Sequence, residues 1–130
     1  NRTGVLVPSG IPLTRESFIE AVRARRVFAT MDKNSQLVLT ANGNLMGSRI
    51  TNSGPLQLVA NYANSEGRSV AAVSIIEGVP GRGGNVSEAA TTAEAAITPT
   101  PGEHFYYAKV IQDDGKILWS APIWVTQNPD

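Results

Sequence analysis

At 130 residues with a formal net charge of zero, the chain has room for one hydrophobic core. It lacks the bulk positive field by which nucleic-acid-binding and polybasic membrane-surface proteins work. Hydrophobic residues make up 42% and charged residues 17%, too apolar and too weakly charged for disorder, and no apolar run reaches the ~20 residues of a membrane span. The absence of cysteine rules out disulfides and thiolate chemistry, and the single histidine, His104, rules out a histidine-rich metal cage. A cysteine-free chain is compatible with any redox compartment, so localisation stays open.

The opening Asn1-Arg2-Thr3 has neither an initiator Met nor a charged-then-apolar leader, and reads as the interior of a longer protein. Asn1–Pro12 carries Gly4, Pro8, Gly10 and Pro12, which is loop chemistry around a short apolar strip, Val5-Leu6-Val7. Thr14 is placed to cap a helix through its hydroxyl, and Leu13 and Phe18 occupy the two positions of a hydrophobic staple. Phe18, Ile19, Ala21 and Val22 recur at helical spacing, and Arg23, Arg25 and Arg26 load the end where the macrodipole favours positive charge. The helix is expected from about Arg15 to about Arg25. Residues 1–26 thus read as a linker and helix continuing from a preceding part of the protein, and 27–130 as the body of the domain.

From Val27-Phe28-Ala29-Thr30 onward the pattern is β. Gln36–Ala41 and Asn44–Ile50 flank Asn42-Gly43, a pair that tolerates the positive φ of a type I′ turn. Leu56, Leu58, Ala60 and Tyr62 alternate with polar or small neighbours, the period of a half-buried strand. Val70–Ile76 is a further apolar run, Gly78–Gly84 a glycine-rich loop, and the Ala- and Thr-rich 86–97 region turns to strand near Ala95–Thr98. Phe105–Gln112 and Lys116–Val125 then flank Asp113-Asp114-Gly115. If Asp114-Gly115 is a two-residue turn, Val110 pairs with Trp119, Ala108 with Ala121 and Tyr106 with Ile123 on a core face. Phe105 then pairs with Trp124, Tyr107 with Pro122, Lys109 with Ser120 and Ile111 with Leu118 on an unusually apolar outer face. Pro122, unable to donate a ladder bond, marks an edge or a bulge. One N-terminal helix followed by about seven strands implies a mostly-β, antiparallel sandwich of immunoglobulin-like type.

No catalytic constellation emerges. The glycine-rich loop lacks the following helix and lysine of a phosphate cradle, Asp113-Asp114 suit a turn, and His104 follows Pro101-Gly102-Glu103 without a triad or metal partner. Two features keep alternative readings. Arg23-Ala-Arg-Arg26 is either a phosphate or carboxylate cluster or charge matched to a helix C-terminus. Tyr107 and Trp124 are either an aromatic platform for a sugar or surface that buries against another part of the protein. Phe105, Tyr107, Trp124, Arg23 and Arg26 are therefore the candidate interdomain or ligand contacts, with no catalytic, cofactor or metal residue assigned.

Three blocks carry a family resemblance. Leu13-Thr-Arg-Glu-Ser-Phe-Ile-Glu-Ala-Val-Arg-Ala-Arg-Arg-Val-Phe-Ala-Thr30 resembles the segment closing the catalytic barrel in microbial PHP-type (polymerase-and-histidinol-phosphatase) metal-dependent hydrolases, with Val22 standing for Leu and Phe28 for Tyr. Asn42-Gly-Asn-Leu-Met-Gly-Ser48 resembles their Asn-Gly-Xaa-Xaa-Met-Gly hairpin. Phe105–Val125, with Gln112-Asp-Asp-Gly115 and Trp119-Ser-Ala-Pro-Ile-Trp124, resembles their closing strands. Thr51–Pro101 shows ordinary strand composition. The resemblance implies a C-terminal, non-catalytic β-sandwich that packs on its own catalytic barrel or a partner protein. Divalent metals and the hydrolytic, phosphoesterase-type activity would then belong to the barrel, and this chain would hold no cofactor. The alternative is a glycan- or surface-binding module using exposed aromatics.

Overall fold

The computed structural model describes residues 1–81 and 83–130, so Arg82 in the glycine-rich loop lies outside the described residues. Among the described residues the protein is mostly β, two sheets packed face to face with one helix at the side. In chain order come β1 (Arg2–Val5), α1 (Arg15–Arg23), β2 (Val27–Thr30), β3 (Ser35–Ala41), β4 (Asn44–Leu45), β5 (Arg49–Asn52), β6 (Leu56–Asn64) and β7 (Val70–Gly78). They are followed by β8 (Val86–Ala90), β9 (Glu94–Ile97), β10 (Gly102–Gln112), β11 (Ile117–Trp119) and β12 (Ile123–Gln127). Twelve strands stand among the described residues where the sequence pattern gives about seven. The excess is made of pieces too short to show a period, such as β4 and β11. Among the described residues no helix is long and apolar enough to cross a membrane.

The smaller sheet runs β4-β3-β6-β9. The Asn42-Gly43 turn forms as its composition requires, with both residues at positive φ, but the hairpin pairs only Thr40 with Leu45 and Ala41 with Asn44. The chain then leaves for the other sheet, where β5 pairs parallel to β12. The larger sheet centres on β10, which has β7 on one side and β11 and then β12 along the other. From there the sheet forks: β11 leads to β2 and β1, and β12 to β5.

The sandwich core is the inner face of both sheets. Leu37, Leu39, Leu56 and Leu58 meet Ile75, Tyr106, Val110, Leu118, Ile123 and Val125, all at 1% exposure or less. Burying these side chains is worth about 1.5–3 kcal/mol each, which is why period-two patterning sets the strand faces. One polar network is sealed into the same end of the core. Gln112, 1% exposed, accepts from Ser35 and Tyr62 through Oε1 and donates through Nε2 to Asp32 and Asp114. Every hydrogen-bonding position of its amide is filled, which makes its burial tolerable.

Four expectations change. The final turn is a three-residue loop: Gln112 N–H donates to the Lys116 carbonyl, and Gly115 has φ 86°. This slips the β10–β11 pairing by one residue, to Val110 with Leu118 and Lys109 with Trp119. Leu118 therefore enters the core and Trp119 does not. The slip is undone across Ser120-Ala121-Pro122, where Ser120 bonds Ala108 through both its N–H and its hydroxyl. Beyond this bulge the expected pairs Tyr106–Ile123 and Phe105–Trp124 hold, but Ala108–Ala121, Tyr107–Pro122, Lys109–Ser120 and Ile111–Leu118 are not ladder pairs. Second, the stretch 1–26, read as linker and helix, contributes β1 to the sheet edge. Third, α1 ends at Arg23, short of Arg25. Fourth, the staple residues Leu13 and Phe18 stand 77% and 46% exposed. The Thr14 cap forms: Thr14 Oγ1 accepts from Ser17 N–H, and Ser17 Oγ accepts from Thr14 N–H.

Candidate functional site

The regular alternation of β10 sends Phe105, Tyr107, Lys109 and Ile111 to the outer face of the larger sheet, all half-buried. Trp119 and Trp124, paired with Lys109 and Phe105, share that face. Phe105 lies across the backbone of Gly78 on β7, where any Cβ would overlap its ring. Glycine at 78 is what lets the aromatic lie flat. Tyr107 pairs with Ile76 on the same side of the strand. The three aromatic candidates from the sequence are thus brought onto one surface.

The two arginine candidates are not. Arg23 is exposed in the last turn of α1. Arg26 is half-buried and is used by its backbone: its N–H donates to Ala21 O, and its carbonyl accepts from Leu6 N–H. The arginine between them reaches the site. Arg25 follows the helix cap with φ 60°, its N–H bonded to Val22 O, while Arg26 N–H reaches Ala21 O. These two bonds make a helix-terminating Schellman motif, in which the left-handed residue is ordinarily glycine. Arg25 Nε then donates to Gly47 O at 3.1 Å, and its guanidinium carbon sits 5.2 Å from the Trp124 ring centroid. Arg49, paired with Trp124 across β5 and β12, brings a second guanidinium to 4.6 Å. Sequence reading missed Arg49 altogether, and the signal for it, a strand crossing between sheets to run parallel, has no local signature.

Gly47 fixes this geometry. Its φ is 90°, and a Cβ there would overlap the Ala24 carbonyl and come within 2.6 Å of the Arg25 carbonyl. The helix terminus can therefore close onto the β4–β5 turn only over glycine. Beside Arg49 is a cavity of about 320 Å³ whose walls include Arg49, Trp124, Thr126, Pro80 and Glu103. Arg25 and Trp119 also border a second one of about 330 Å³, with Val27, Ala29 and Pro122.

His104 also borders the first of these cavities. It is 5% exposed. Its Nε2 lies 2.7 Å from Thr100 O, which as a pure acceptor requires a proton on Nε2. Its Nδ1 lies 3.2 Å from Glu77 Oε2 but outside hydrogen-bond geometry. Glu77 also accepts from the Tyr106 hydroxyl, and burial together with that bond pushes the Tyr106 phenol well above the usual range. Among the described residues no three His, Asp or Glu side chains converge as metal ligands.

No family model matches the sequence, and no curated protein matches it. Among solved structures, the chain is similar to an engineered protein determined by a structural genomics consortium, at 17% identity and a TM-score of 0.47. The likeness covers 72% of this chain and 20% of that protein.

Proposed function

We propose that this chain is a non-catalytic accessory β-sandwich that docks on a separate domain, and that the domain is a PHP-like metal-dependent hydrolase. The observation that carries the docking is the state of α1. Its apolar residues Phe18, Ile19 and Val22 stand 46%, 36% and 44% exposed, and only Ala21 is buried. A nine-residue helix gains little from propensity alone and is ordinarily held by packing of its apolar face. Here that face points to solvent. Large apolar side chains exposed together on one helix mark an interaction site. The hydrolase identity rests on the three sequence blocks alone.

A glycan-binding reading draws less support from the geometry. Two guanidiniums already lie over the Trp124 ring, so a sugar stacking there would first have to displace a cation–π contact.

Sequencing the reading frame upstream of Asn1 and expressing what it encodes tests the assignment. The expected result is a barrel with histidines and acids at its strand ends, and metal-dependent phosphoester hydrolysis that needs no residue of this chain. An upstream region without such a barrel would overturn the hydrolase assignment.

A further inference from the structure

Arg25 occupies a left-handed backbone position, φ 60°, that glycine fills at least strain and a side chain fills at a cost. Strained positions of this kind concentrate where a side chain has a task. Here the strain coincides with placement: Nε is held by Gly47 O, and the guanidinium is set over the Trp124 ring that Arg49 also approaches. Two like charges converge on one indole. Among the described residues neither arginine has a carboxylate within 4 Å, since the ion pairs formed involve Arg68 and His104. Glu103 shares the adjoining cavity without bridging to either. The positive charge is assembled and left uncompensated.

We propose that Arg25, Arg49 and Trp124 form a receptor for a carboxylate presented by an acidic segment of a protein partner. This rests on the accessory-domain reading and names the chemistry of the surface that it docks on. A planar guanidinium pairs two N–H donors with the two oxygens of a carboxylate. Arg25 has its two terminal nitrogens left for this after Nε is used. A protein source is favoured by continuity: Val22, on the exposed apolar face of α1, lies three residues before Arg25. An apolar patch bordered by a charged rim is the ordinary composition of a protein interface.

The test is an NMR titration of the intact chain, following the Trp124 indole N–H, assigned with Trp124→Phe. Its probes are a capped tetraglutamate peptide, the matching tetraglutamine peptide and inorganic phosphate. The tetraglutamate peptide is expected to give a saturable shift with Kd on the order of 1–10 mM, weakened by salt. Arg49→Gln should weaken it at least about tenfold, Arg25→Gln likewise, and Glu103→Gln should tighten it by removing repulsion. Arg49→Gln is the decisive variant, because residue 49 lies in regular strand and its replacement leaves the helix terminus intact. No saturation, an equal tetraglutamine response or an unchanged Arg49→Gln would overturn the proposal, as would a response to phosphate without one to tetraglutamate. The Phe18→Ser/Val22→Ser double variant is expected to retain the shift, so failure of docking through α1 and failure of this site are separately visible.

Discussion

Trp119 and Trp124 project from the same face of one sheet, although a separation of five positions would put them on opposite faces of an unbroken strand. The extra residue sits in the Ser120–Pro122 bulge. It reverses the alternation once and leaves both indoles half-buried on the outer surface.

The core seat is therefore Leu118, fully buried against both sheets. Leu118→Ala should cost about 2–5 kcal/mol, and Trp119→Ala less, because Trp119 keeps part of its surface in water. Urea midpoints of the two variants check this. A larger loss at Trp119 would restore the two-residue turn.

Much of the fold was legible because its determinants are local. The Thr14 cap, the Asn42-Gly43 turn and the alternation of Leu37, Leu39, Leu56 and Leu58 each declare themselves within a few residues. The register of the last hairpin was not. Asp113-Asp114-Gly115 fits a two- or a three-residue loop, and the choice moves Trp119 out of the core. The site was half legible: Phe105, Tyr107 and Trp124 follow from strand alternation. Arg25 depends on a left-handed residue where glycine is the norm, and Arg49 on a parallel pairing between strands about 75 residues apart in sequence.

Gly47 bears on stability and site alike. Gly47→Ala should cost about 2–4 kcal/mol, combining left-handed strain with overlap against the helix terminus. It should also release Arg25 from Trp124, seen as a change in indole fluorescence under native conditions. An unaltered midpoint would mean that the α1 terminus does not close on the β4–β5 turn.

Gln112→Ala should cost about 2–4 kcal/mol, since it strips partners from buried Ser35 and Asp32 and leaves a cavity. Gln112→Glu, nearly isosteric, should also destabilise, because it places a carboxylate against Asp32 and Asp114. Denaturant curves for both variants check the network.

The same network predicts acid sensitivity. The Asn34 N–H and then the Gln112 amide hold the Asp32 carboxyl below its usual value of 3.8, and the Lys116 N–H and then Gln112 do so for Asp114. Both groups stay ionised in the fold at pH values where the unfolded chain takes up protons. Their contribution is complete above about pH 4 and is lost as pH falls through the lower folded values. Urea midpoints should be flat from about pH 7 to 5 and fall below about pH 4, with a shallower fall in Asp32→Asn. An equally steep fall in that variant would place the acid sensitivity elsewhere.

Docking through α1 is tested most directly by hydroxyl-radical footprinting of Phe18 and Val22, in the isolated chain and in the full-length protein expressed from its own gene. In the isolated chain both side chains should oxidise at the rates of exposed residues, and in the full-length protein both should be protected at least about fivefold, with Tyr106 protected in each. Equal oxidation of Phe18 and Val22 in the two forms would contradict the account.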